Sequence, residues 1–167
     1  MTPKENIDEL KFIIGRYDHF YDNVNNKANL YLTINLFILG SIIAGYSALF
    51  AEASAPDWVQ YLLFVPTLAF NLLSFIFVLL AIRPFTKKHQ TTESLIFYRD
   101  VCNQEDQSLQ QKWNDFSVTD WQCDLQMQAK VLADGLRAKF ENLNIATFFI
   151  GAQVLLIAVF ALYLFTI

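Results

Sequence analysis

Residues able to do charge chemistry gather in a few places along this sequence. Lys27, Arg83, Lys87, Lys88, Arg137 and Lys139 stand beside long uncharged windows, in company with Asn26, Asn29 and Asn142. Phe97, Tyr98 and Phe140 lie in the same regions. Cations and amides bind phosphate, and an aromatic face takes a planar base, so Asn26, Lys27, Phe97, Tyr98, Arg137, Lys139 and Phe140 make a candidate nucleotide pocket. The same cations also fit plain anchoring, in which basic side chains at inner helix ends snorkel to anionic lipid. Asn35, Asn71 and Gln153 fall inside the uncharged windows. They read either as interhelical hydrogen bonds or as the polar lining of a pore formed in an oligomer.

Catalytic chemistry finds no purchase. His19 and His89 are isolated, and there is no His-Asp doublet, glycine-rich phosphate loop, serine elbow or HExxH. Cys102 and Cys123, 21 positions apart and without a histidine cluster, do not have metal-site spacing. They are expected to be free thiols in a reducing compartment. The chain is therefore not expected to be an enzyme or to carry a metal or cofactor. A net charge of −4 without a basic stripe argues against nucleic acid as a partner.

Three windows hold no Asp, Glu, Lys or Arg: Leu30–Ala51, Trp58–Ile82 and Asn142–Ile167, of 22, 25 and 26 residues. About 20 apolar residues span the hydrocarbon as a helix, and runs of this length are not barrel strands. The fold class expected is an all-α membrane protein with three transmembrane helices. All 12 Lys and Arg lie in residues 1–29 and 83–144, and Glu52–Asp57 has none. The positive-inside rule then puts the N-terminus in the cytoplasm and the C-terminus outside. The organisation expected is a cytoplasmic helix at 1–29, spans at 30–51, 58–82 and 145–167, an external loop at 52–57, and a cytoplasmic helical region at 83–144.

Two helices should be much longer than their spans. Thr2, Pro3 and Glu5 form a helix-starting capping box. Ile7, Leu10, Ile14, Tyr17, Tyr21, Val24, Ala28 and Tyr31 then follow in steps of 3 and 4, a register that continues to Asn35. One helix from about residue 4 to about residue 50 follows, roughly 70 Å long at 1.5 Å per residue. Val118, Trp121, Leu125, Ala129, Leu132, Leu136, Phe140 and Leu143 make a second stripe, predicting a helix from about 118 to 167. The cytoplasmic halves of these stripes should pack as a stalk or bundle, within or between subunits. Pro66 should kink the second span. Leu95–Tyr98 reads as either helix or strand, and EDQSLQQKWNDF as a short helix.

NNKANLYLTIN, LIFYRDV and QMQAKVLADGLRAKFENLNIATFF together resemble the small membrane effectors of the Pycsar antiphage system, the PycTM-like family. The resemblance covers roughly residues 16–160. One position departs from the pattern: Asn25 stands two before Lys27, where an Asp is expected. The resemblance implies a homo-oligomeric effector in the bacterial inner membrane. A partner cyclase that senses phage would make a cyclic pyrimidine mononucleotide, cCMP or cUMP. The effector would sense this diffusible ligand and impair the membrane, causing abortive infection. The residues by themselves also fit a ligand-independent scaffold, or a pore-forming protein controlled by a partner protein.

Overall fold

A computed structural model describes residues 3–52, 58–84 and 94–165. Thr2, the loop residues 53–57, Lys87, Lys88 and His89 lie outside the described residues. Five helices follow one another: α1 (Pro3–Glu52), α2 (Trp58–Ile82), α3 (Tyr98–Cys102), α4 (Asp106–Asp115) and α5 (Val118–Leu164). No strand occurs among the described residues, and the fold is all-α. Three helices are long and apolar enough to cross a membrane: α1, α2 and α5. α2 continues unbroken through Pro66.

The chain divides into two compact units. One comprises Met1–Asp22 with Pro84–Arg137, the other Asn23–Arg83 with Ala138–Ile167.

In the first unit, the apolar stripe of α1 is its covered face. Ile7, Leu10, Ile14, Tyr17 and Tyr21 are half-buried, whereas Phe12, Arg16, His19 and Phe20 are exposed. Tyr21 Oη donates to the Leu132 carbonyl at 3.1 Å, joining α1 to α5. α5 starts with a capping box: Ser117 Oγ accepts from the Asp120 N–H, and the Asp120 carboxylate accepts from the Ser117 N–H at 2.9 Å. The Ser117 hydroxyl also donates to Asp120 Oδ2, and this bond, with that from the Ser117 N–H, holds the Asp120 carboxyl below its ordinary range. Trp121 meets Trp113 and Phe116 edge-on, at 5.3 and 5.2 Å between ring centres, which ties the end of α4 to the start of α5.

Leu95–Phe97 is a bend, and α3 begins at Tyr98. Its shape comes from a serine. Ser94 Oγ accepts from the N–H groups of Ile96 and Phe97 at 3.0 and 2.9 Å. The same hydroxyl donates to Asp124 Oδ1 at 2.7 Å, while Asp124 Oδ2 accepts from the Leu95 N–H at 2.9 Å. Asp100 Oδ2 accepts from the Ser94 N–H at 3.2 Å. Ser94, Leu95, Asp100 and Asp124 are all buried.

The second unit is built by 3-4 spacing on three helices. α2 buries Thr67, Asn71, Ser74, Val78 and Ala81. α1 buries Val24, Ala28, Asn35 and Ile38; α5 buries Lys139, Leu143, Ala146 and Gln153. This is the spacing that lets side chains of one helix seat between those of the next. Phe149 of α5 packs against Phe70 and Phe77 of α2, with ring centres 5.7 and 6.0 Å away. Outward, Leu30, Phe37 and Ile43 of α1, Leu62, Leu72 and Leu79 of α2, and Phe148, Leu155 and Leu162 of α5 are exposed. That apolar surface is costly in water and carries no such penalty against lipid tails.

One expectation about α5 is corrected. The buried stripe passes through Lys139, not Phe140, which is 37% exposed. Steps of 3 and 4 from Leu136 to Leu143 run through position 139, and position 140 turns outward.

Candidate functional site

Lys139 is a charged residue on a buried stripe, and its surroundings explain how it is held there. α2 ends at Ile82, and the last carbonyls of a helix lack partners within it. Lys139 Nζ donates to the Ala81 carbonyl at 2.6 Å and to that of Ile82 at 3.3 Å. A third bond reaches Asn25 Oδ1 of α1 at 3.3 Å. Three N–H donors thus meet three oxygens from two other helices. The cation also faces the negative end of the α2 dipole, a favourable placement. Burial pushes the Lys139 ammonium below the usual lysine pKa.

Asn25 gains a role here that its sequence neighbourhood only hinted at. It occupies the position where an Asp was expected, and its side-chain oxygen accepts from Lys139. A carboxylate at this point would turn a neutral acceptor into an ion-pair partner. The bond to the neutral amide oxygen is the weaker of the two.

The three polar residues inside the spans converge. Asn35, Asn71 and Gln153 are each fully buried, as is Ser74. Asn35 Nδ2 donates to Ser74 Oγ and to the Tyr31 carbonyl, both at 3.0 Å. Asn71 Nδ2 donates to the Asn35 carbonyl at 3.1 Å and lies 3.5 Å from Asn35 Oδ1. Gln153 Nε2 reaches the same Oδ1 at 3.3 Å, and Ser74 Oγ donates to the Ala146 carbonyl at 3.3 Å. One asparagine of α1 thus links α2 and α5, the interhelical arrangement expected of such residues. Asn71 Oδ1 and Gln153 Oε1, both buried, accept from no donor.

The remaining candidates are spread between the two units. Asn26 and Lys27 are exposed on α1, and Phe140 and Arg137 are exposed on α5. Phe97, at the start of α3, is half-buried and touches the ring of Tyr98, 5.3 Å away and 62% exposed. Asn25 is the α1 residue that meets Lys139, and Lys27, two positions on and about 200° around a helix of 3.6 residues per turn, points away. Ser74 and the Ser94–Asp124 pair were not singled out in the sequence, and Asn25 stood out there only for its departure from the family pattern. Ser74 had one usable signal, its three-residue step from Asn71.

No cluster of three or more His, Cys, Asp or Glu able to hold a metal occurs among the described residues. Cys102 and Cys123 are free and exposed. In comparisons with known proteins, no curated protein and no solved structure matches the chain. A family model, PycTM, the Pycsar effector protein domain, matches residues 9–166. That span takes in all three membrane-length helices, the Lys139 contacts and the buried amide node. The chain belongs to the PycTM family of Pycsar effectors, and its role is that of a membrane-embedded antiphage-defence effector.

Proposed function

We propose that this chain responds to a cyclic pyrimidine mononucleotide, cCMP or cUMP, by impairing the inner membrane, so that infection ends abortively. The nucleotide is the product of a partner cyclase and reaches the effector by diffusion. The effector works as a homo-oligomer, with the N-terminus cytoplasmic and the C-terminus external, the orientation its Lys and Arg distribution favours. The observation that carries this reading is the family match along residues 9–166, which joins membrane-length helices to an effector domain.

A ligand shifts a membrane protein between two arrangements only by binding one of them better. Each compact unit offers an exposed cation and an aromatic ring for such a ligand: Lys27 with Asn26 and Phe140 in one, Arg137 with Phe97 and Tyr98 in the other. Lys139 contributes differently, because its ammonium is engaged with the end of α2. It holds the helices that the signal must move.

The test uses the purified full chain in phospholipid vesicles loaded with a self-quenched dye. Addition of cCMP or cUMP is expected to release dye, with cAMP and cGMP inactive, and calorimetry should register binding of the active nucleotide. Lys27→Ala and Arg137→Ala then assign the ligand to one unit by which of them weakens binding. Release that needs no nucleotide would replace this reading with a pore held closed by a partner protein. No release under any condition would leave a scaffold.

A further inference from the structure

The buried amide node leaves two of its oxygens without partners. Every side-chain amide nitrogen in it donates: Asn35 Nδ2, Asn71 Nδ2 and Gln153 Nε2 each have an acceptor within 3.3 Å. The oxygens of Asn71 and Gln153 have no donor, although both residues are fully buried. Both atoms of the node that lack any partner are acceptors, and each calls for a donor. In hydrocarbon, where no solvent can make up the difference, a stranded carbonyl oxygen is destabilising. A half-satisfied polar network is worse than an apolar core of the same shape.

Two kinds of donor would complete the node, a cation or a neutral molecule. A cation needs compensating charge, and the windows Leu30–Ala51, Trp58–Ile82 and Asn142–Ile167 contain no carboxylate. The chemistry therefore favours a small neutral donor, and the one available at a membrane is water. Water reaches this depth only if α1, α2 and α5 separate locally.

We propose that the Asn35–Asn71–Ser74–Gln153 node is a water-binding site, completed only when the three spanning helices part, and that it is where the spanning unit becomes permeable. In the packed arrangement two oxygens are stranded; in the hydrated arrangement both are bonded. That difference biases the unit toward opening, and a signal needs to supply only the remainder. The output, loss of membrane integrity, rests on the function proposed above, but the energetic sign does not. If the amides are simple helix-to-helix glue, replacing them with apolar residues weakens the fold. If they are a primed hydration site, the same replacements strengthen it.

The full chain in phosphatidylethanolamine and phosphatidylglycerol vesicles serves for both measurements, thermal melting by circular dichroism and dye release. Gln153→Met gives up one long 3.3 Å bond and removes a stranded oxygen. Asn71→Leu removes the other. Each is expected to raise the Tm by about 2–4 °C and to lower release, both spontaneous and with cCMP or cUMP, at least tenfold. Gln153→Glu, which adds a group that demands hydration, should lower the Tm and raise release. A fall in Tm for both apolar variants, including failure to fold, would overturn the proposal, as would unchanged release from variants in a background where the natural chain leaks. If the natural chain responds to no nucleotide, the functional reading fails, and the sign of the Tm change still decides the role of the node.

Discussion

Lys139 carries the sharpest consequence at the scale of single residues. Its bonds to Asn25, Ala81 and Ile82 tie the end of α2 to α1 and α5. Lys139→Met keeps the length of the stem but leaves three oxygens without their donor. A stranded buried acceptor costs about 1–3 kcal/mol, so the variant should lose at least that much stability in denaturant titration of the vesicle-bound chain. Asn25→Asp should do the opposite, adding about 1 kcal/mol by converting a neutral acceptor into a charged one. A loss of stability in that variant would show that the Asn25 bond does not position Lys139. The pH dependence has a definite sign. Burial lowers the Lys139 pKa in the folded chain, so the unfolded chain binds more protons between the lowered value and 10.5. Stability should therefore rise with pH through that window, and the rise should be missing in Lys139→Met. Sequence spacing picked out Lys139 but not the helix-end carbonyls it meets. A lysine beside an apolar run reads as an anchor or a ligand site, because its reach across to another helix end has no trace in local spacing.

At the scale of elements, the long helices and α4 were legible and the bend before α3 was not, for a common reason. Charge-free windows and steps of 3 and 4 are properties of a segment by itself, and they predicted helices close to Pro3–Glu52 and Val118–Leu164. The bend at Leu95–Phe97 depends instead on Asp124, which lies 30 positions from Ser94. That dependence makes a prediction. Asp124 uses both carboxylate oxygens as acceptors, from Ser94 Oγ and the Leu95 N–H. Asp124→Asn puts an NH2 group against one of those donors. The expected result is amide exchange at Leu95–Phe97 at least tenfold faster, the equivalent of about 1.4 kcal/mol by the usual conversion of free energy to ratio. Exchange at Leu143–Gln153, in the other unit, should not change. Equal exchange at Leu95–Phe97 in both proteins would mean that other contacts hold this segment.

At the scale of the whole molecule, orientation rests on charge that no packing contact reveals. Lys and Arg number 12, and none lies in Glu52–Asp57 or after Lys139. Cations near span ends resist translocation whereas acids contribute little, so the asymmetry acts through what is absent from the two segments proposed to lie outside. The proposed orientation predicts that alkaline phosphatase, active only after export, is active when fused after Ile167 and inactive when fused before Met1 or inserted between α3 and α4. If α1, α2 and α5 all cross, as their length and apolar character allow, the two termini report opposite sides. Glu52→Lys with Asp57→Lys puts two cations on the segment that must be exported, in conflict with the cations at Lys4–Lys27. Phosphatase activity of the C-terminal fusion should then fall severalfold, because part of the population inserts with α1 and α2 misplaced. An active N-terminal fusion in the unaltered chain would reverse the orientation. Residues 1–29 and 83–144 would then face outward, beyond the reach of a nucleotide made in the cytoplasm, and a ligand-gated reading would no longer stand.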